Sequence, residues 1–281
     1  MRRGLPAGEE EARAAIEENP HWYHTMELAP GVETPGWFDL RPIVDKLPWP
    51  DVRGKRCLDV GTYDGFLAFE LERRGAAEVV ATDISDHEQW DWPPRIRARG
   101  VEYLRWVAGP KNRGFELAHR LIGSAATLEH VSVYDLSPDS VGEFDVVVVG
   151  SLLLHLRDPL RALAAIRSVC LGSFLSTNQI DLWRSVLRPR RPLMRLDGLS
   201  DLCQWWLPNA AGHRQMVCAA GFELERDSGR YSVPYGVAHP SQKGPRKVAP
   251  SVPRRLLAGG DGVPHHAILA VVPETYSSGD R

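Results

Sequence analysis

The chain has 281 residues, a formal net charge of -2, 43% hydrophobic and 25% charged residues. That length suits one globular core with insertions rather than two equal domains, and the balanced charge excludes a global electrostatic pull towards nucleic acid. Its apolar runs fall well short of the ~20 residues that cross a bilayer, and the start, Met1-Arg2-Arg3-Gly4, carries no apolar signal core, so a cytoplasmic protein is expected.

Residues 7–18 read as a surface helix ending before Asn19-Pro20. An aromatic, turn-rich stretch follows, then a short helix from about Asp39 to Lys46, and residues 1–52 are expected to form an N-terminal lid. From Arg56 short apolar runs alternate with amphipathic helices. The strands are CLDV, EVVAT, LEHVSV, FDVVVVG and CLGSFLST, with helices in FLAFELERRG, GFELAHRLIG and DPLRALAAIRSV. A helix from about Asn209 to Ala220 should be capped by Gly221, and FELERD and HHAILAVV supply two closing strands. Strand–helix alternation with β-branched strands predicts an α/β fold whose parallel sheet has helices on both faces. The two closing strands suggest an antiparallel finish, the seven-stranded Rossmann-like layout of class I methyltransferases. The core domain spans 53–273, with insertions near 84–111, 178–208 and 229–264 acting as caps, and a tail at 274–281.

Leu58-Asp59-Val60-Gly61-Thr62-Tyr63-Asp64-Gly65 lies where a strand ends and a helix begins, the crevice position for ligands in open α/β sheets. Gly61 permits a tight turn, Gly65 lets the helix start pack closely, and free N–H groups around Thr62 and Tyr63 suit a carboxylate. Asp59 is placed to orient the loop or meet an amino group. Asp83, followed by Ile84, ends the second strand some twenty residues on, where an acidic side chain accepts ribose hydroxyls. Asp135 after the third strand can accept from an adenine amino group, with Tyr134 or Leu136 against the base, and Gly150 and Leu154 follow the fourth strand. Three such marks in order favour S-adenosylmethionine (SAM). A nicotinamide or flavin dinucleotide fits less well, because the turn lacks the second glycine of GxGxxG.

These motifs resemble the tRNA wobble-uridine methyltransferase family that completes 5-methoxy- and 5-oxyacetyl-uridine. The likeness runs from about Trp22 to Val272, on GVETPGWFD, RCLDVGTYDGFLAFELERRGA, SLLLHLRDPLRAL and WWLPN. It implies a SAM-type cofactor surrounded by Gly61, Asp83 and Asp135, with Trp37 near the cofactor mouth. Members that use carboxy-SAM carry a tyrosine where this chain has Leu154 and an arginine aligned with His266. The family's N-terminal extension has no counterpart before Trp22, and PSQKGPRKVAPSVPRRLLAGGDG replaces its stretch before the last strand. A leucine donates no hydrogen bond to an extra carboxylate, so ordinary SAM is expected.

Methyl transfer gains most from alignment, up to ~7–11 kcal/mol, and a base adds about 10²–10⁴-fold where the acceptor loses a proton. His155 after the fourth strand is the first base candidate and His24 the second; either can instead be structural. Asp158-Pro159 reads as a helix cap. No metal site is expected: the four cysteines are scattered, and His265-His266 point to opposite faces of a strand. The nine tryptophans all fall outside the sheet strands, in the lid and long connections, an aromatic cap suited to a planar acceptor or a sulfonium. The arginines from Arg184 to Arg195, with Lys243, Arg246, Lys247, Arg254 and Arg255, form either an RNA-contacting surface or a solvated face of an arginine-rich chain. The expected acceptor is an oxygen or nitrogen of a small aromatic or polar metabolite. A tRNA wobble uridine is the alternative, and SAM binding without turnover the second.

Overall fold

The computed structural model describes residues 8–109, 111–199, 203–240 and 252–274. Its centre is a seven-stranded sheet of β1 (Arg56–Val60), β2 (Glu78–Asp83), β3 (Thr127–His130), β4 (Phe144–Gly150), β5 (Cys170–Gln179), β6 (Glu223–Val233) and β7 (Val263–Val271). Their spatial order is 3-2-1-4-5-7-6. The first five run parallel. β7 enters between β5 and β6, antiparallel to both.

Alternation within β4 shows why the sheet is covered on both faces. Val146 and Val148 join one core cluster with Phe66, Leu71, Phe115 and Leu117. Val147 and Val149 join the other with Ile166, Val217 and Ile268. Successive side chains of a strand face opposite ways, so an unbroken apolar run demands cover on both sides. The first face is covered by α1 (Glu9–Glu18), α2 (Phe66–Arg73) and α3 (Arg113–Ile122), together with the N-terminal lid. The second is covered by α4 (Pro159–Val169) and α5 (Ala210–Ala219). Asp158 caps α4, accepting from the Arg161 N–H at 3.0 Å. Gly221 closes α5 with φ +88°, the left-handed backbone that glycine adopts without a Cβ clash.

Three elements differ from the sequence expectations. The helix expected over Asp39–Lys46 is a single 3-10 turn, Val44–Lys46, because Pro42 withholds an N–H and disfavours helical backbone at Arg41. The third strand ends at His130, where Ser132 turns the chain into a 3-10 turn by accepting from the Tyr134 N–H at 3.3 Å. β6 continues past Asp227 to Val233, so the connection expected from 229 begins after the strand. Asp227-Ser228-Gly229 reads locally as a turn but is absorbed as a bulge, with Gly229 at φ +68° and its N–H on Asp227 Oδ1 at 2.7 Å.

The connections form the cap. Residues 84–111 carry short helices at Pro94–Arg97 and Val101–Ala108. Trp92, Ile96 and Leu104 pack there around Cys203, which arrives from the 178–208 connection. That connection also carries a helix, Leu182–Leu187, and a strand pair, Met194–Leu196 with Trp206–Pro208.

Candidate active site

The cap and lid enclose a cavity of about 660 Å³ over the carboxyl ends of the strands, within the about 300–1,000 Å³ typical of small-molecule sites. One lobe lies over β1 and β2. Gly61 takes φ +74°, and a Cβ there would come within 2.9 Å of Leu152 Cδ2. The Gly61 and Thr62 N–H groups donate to the Thr82 carbonyl at 2.8 and 3.1 Å, which pins the turn beside β2. Tyr63, at φ +55°, donates its N–H to Asp83 Oδ2 at 3.0 Å, so the N–H groups expected to be free for a carboxylate around Thr62 and Tyr63 are committed within the protein. Gly65 sits behind the lining as the left-handed cap of α2, where a Cβ would strike the Phe69 ring.

Asp59 is 1% exposed, and among the described residues its Oδ2 has no hydrogen-bond partner. Burial pushes its carboxyl up to about 7. A buried carboxyl with one oxygen left unpaired beside a cavity suits a cationic group such as an amine. Asp83 is more fully engaged: its Oδ1 accepts from the Ile84 N–H at 2.7 Å and from Lys111 Nζ at 3.0 Å. Lys111 also lies 5.4 Å from the Tyr63 ring centre and 5.3 Å from that of Trp90. This lysine was not anticipated from sequence, although it is one of few in an arginine-rich chain.

Gly150, Leu154, Ile84, Tyr134 and Trp37 all line the cavity. Tyr134 is fixed by its hydroxyl, which donates to Asp91 Oδ2 at 2.5 Å and accepts from the Asp158 N–H at 3.1 Å. Asp135 and Leu136 depart from expectation. The Asp135 side chain is 70% exposed, 3.9 Å from Arg161, and Leu136 is buried in the core behind the sheet. The 3-10 turn at Ser132 rotates the chain so that Tyr134, and not Asp135, faces inward. An adenine-amino partner at Asp135 is therefore not positioned.

Both candidate histidines reach the cavity. His155 Nδ1 lies 2.8 Å from the Cys203 carbonyl, which can only accept. Nδ1 therefore carries the hydrogen, and Nε2 keeps its lone pair with no protein partner among the described residues. Burial lowers the His155 pKa below the ordinary histidine value, so the ring is neutral near pH 7. His24 is tied differently. Buried Asp64 accepts the Tyr23 and His24 N–H groups on Oδ2 at 2.9 and 2.8 Å, and its Oδ1 lies 2.5 Å from His24 Nδ1. Asp64, unremarked in the sequence, thus anchors the lid to the turn after β1.

The second lobe lies over β5, β7 and β6. Ser151, Thr177, Gln179, Tyr231, Tyr235, His239 and His265 line it; of these the sequence singled out His265 alone, as one half of a pair split across a strand. The histidine pair does split across β7: His265 faces the cavity, while His266 is fully buried on the other face against His213 and Asp227. The position aligned with the carboxy-SAM arginine therefore does not face the cavity. Trp22, Trp37, Trp90 and Trp92 line it, and Trp183 is 53% exposed elsewhere. Arg188, Arg190, Arg191 and Arg195 are exposed and outside the lining. Arg255 pairs with Asp261 at 2.8 Å. Lys243, Arg246 and Lys247, the Trp106 and Arg254 side chains, and the tail after Glu274 lie outside the described residues. No helix among the described residues is long and apolar enough to cross a membrane.

A seven-stranded 3-2-1-4-5-7-6 sheet with this glycine turn and acid-tipped β2 defines a methyltransferase domain. The family model for that domain matches residues 39–225, and the chain belongs to this family. A ubiquinone biosynthesis O-methyltransferase of Neisseria meningitidis is 31% identical over 122 residues, 43% of this chain and 40% of the relative. One from Aromatoleum aromaticum is 26% identical over 148 residues, 51% of this chain and 50% of the relative. The matched stretch thus spans at most half the length of these curated relatives. Among solved structures, the N-terminal domain of EvdMO1 with S-adenosylhomocysteine (SAH) bound superposes with a TM-score of 0.54 at 15% identity, covering 96% of this chain and all of that domain.

Proposed function

We propose that this chain is a cytoplasmic, SAM-dependent methyltransferase acting on an oxygen or nitrogen of a small aromatic or polar metabolite. The observation that carries it is the buried Asp59 carboxyl beside the Gly61 turn, its Oδ2 without a hydrogen-bond partner among the described residues, in a cavity that also holds a neutral His155. When bound, SAM supplies the activated methyl group. Asp59 takes the amino group of its methionine end, and the side-chain-free backbone at Gly61 lies against it. Asp83, its Oδ2 engaged by one backbone N–H, keeps acceptor capacity for ribose hydroxyls, and Ile84 and Tyr134 flank the base. The aromatic lid around Trp37 excludes water. His155 Nε2 takes the proton from the acceptor, and Asp64 holds His24 and the lid closed. The names of the O-methyltransferase relatives support a small-molecule acceptor, and SAH in the EvdMO1 domain supports the cofactor. Ordinary SAM is favoured over carboxy-SAM because Leu154 donates no hydrogen bond and no arginine of β7 lines the cavity.

Calorimetric titration with SAH, SAM and carboxy-SAM, with and without bulk tRNA, tests this reading. Tight SAH and SAM binding without a carboxy-SAM preference is expected, and Asp83→Ala should lose most of it. Because that variant strands the buried Lys111 ammonium, the Asp83→Ala/Lys111→Met pair serves as a folded control. Failure of SAH to bind the wild type would overturn the cofactor reading. A carboxy-SAM preference with salt-sensitive tRNA binding would restore the wobble-uridine assignment.

A further inference from the structure

The wall across from the cofactor lobe is built by strand register. Tyr231 pairs opposite His265, Val233 opposite Val263, and His265 opposite Gln179. Period-two alternation turns Tyr231 and Val233 to the face of His265, and all of these residues line the cavity. Ser151, the residue after β4, joins this wall where the two lobes meet. Its N–H donates to the Thr177 carbonyl at 2.7 Å, and its backbone is held at φ +52°. A left-handed conformation is unfavourable for a residue with a Cβ and persists where the surroundings impose it, commonly at functional sites. Beyond Val233 the wall is aromatic. Tyr235 and Phe38 stand 4.3 and 5.1 Å from the His239 ring, and Trp37 6.0 Å.

The direction of each hydrogen bond follows from proton counting. The Val263 carbonyl, 2.8 Å from His265 Nδ1, can only accept, so Nδ1 carries the hydrogen. Burial drives the His265 pKa down to about 4, so near pH 7 its Nε2 is a bare lone pair. Ser151 Oγ lies 2.8 Å from that nitrogen and is therefore the donor. Its one proton is committed, and towards the cavity the hydroxyl presents lone pairs alone. The next polar atoms along the wall, Thr177 Oγ1 and Tyr231 Oη, are bonded to each other, which commits one of their two hydroxyl protons.

We infer that Ser151 recognises the acceptor by taking a hydrogen bond from a hydroxyl or amine on its aromatic ring other than the group His155 deprotonates, and that His265 acts through it as a positioning residue. A carboxylate or an ether at the same place would set lone pair against lone pair. The ring group that meets Ser151 is thus a hydroxyl or an amine, and not a carboxylate or an ether. This rests on the methyltransferase reading only in naming the bound molecule an acceptor.

The test is calorimetry on the SAH-saturated protein with four probes sharing one ring: phenol, aniline, anisole and benzoate. Phenol or aniline should bind about tenfold or more tightly than anisole and benzoate, the scale of one hydrogen bond replaced by an unmatched pair. Ser151→Ala should erase that ratio and leave SAH binding intact. His265→Phe should release the Ser151 proton and shift the ratio towards anisole and benzoate, a change that loss of packing alone would not produce. Nitrogen-15 spectra should show His265 protonated on Nδ1 only at pH 7. Equal or tighter benzoate binding, a ratio unchanged in Ser151→Ala, or a hydrogen on His265 Nε2 at pH 7 would overturn the inference. If no probe binds while SAH does, this inference fails and the cofactor reading stands; if SAH itself does not bind, the cofactor reading fails.

Discussion

Asp59→Asn should make the ligand-free protein more stable at pH 8 and less able to hold SAH. The carboxyl of Asp59 is buried, and its pKa rises from 3.8 to about 7. The folded state therefore binds a proton that the unfolded state has released between these values. Stability from this group is fully present below pH 4, declines as pH rises towards 7, and levels off above. A shift of about three units at 1.36 kcal/mol each is on the order of 4 kcal/mol. Asparagine keeps the shape without the charge, so the variant lacks this decline. His24 and Asp83, whose charges act on Asp59, are present in both proteins. Urea unfolding of wild type and variant from pH 5 to pH 8 reads the difference directly. The wild type should lose stability relative to the variant as pH rises to 7. Saturating SAM should reverse that trend in the wild type, because an amine facing the carboxylate favours its ionised form. A variant that tracks the wild type at every pH, or that binds SAH equally well, would refute the assignment of Asp59.

His155→Ala should lower kcat for methylation of a phenolic hydroxyl by about 10²–10⁴-fold with SAH affinity unchanged. Equal loss of both in stopped-flow and calorimetric assays would instead mark His155 as packing under the cofactor. Asp64→Ala removes the acceptor of two backbone N–H groups and the partner of His24. It should cost about 1–3 kcal/mol and expose the lid around Trp22 to limited proteolysis, with SAH restoring part of the protection. A protease pattern identical to the wild type would show that the lid is held elsewhere.

The sheet and the turn over β1 and β2 were legible because their signals are local. Apolar runs of period two, Asp158 as a cap, Gly221 as a stop and the Gly61 turn each concern residues a few positions apart. Beyond the helix that Pro42 cut short, two misreadings arose where one hydrogen bond changed the backbone path. Ser132 capturing the Tyr134 N–H turned Asp135 outwards, and the Asp227 carboxylate holding the Gly229 N–H let β6 continue through a turn-like tripeptide. Both choices depend on bonds that no periodicity encodes.

By itself the sequence determined the order of elements, the acids at the tips of β1 and β2, and the division of His265 from His266 across one strand, since each follows from short-range spacing and the two-residue repeat. Only the tertiary structure decided which of those histidines meets the cavity, that Lys111 lies on Asp83, that Asp64 ties down the lid, and that Ser151 donates to His265. These contacts join residues 28 to 114 positions apart, and their register is set by β7 slotting antiparallel between β5 and β6, a long-range pairing whose geometry exists only once the sheet has closed.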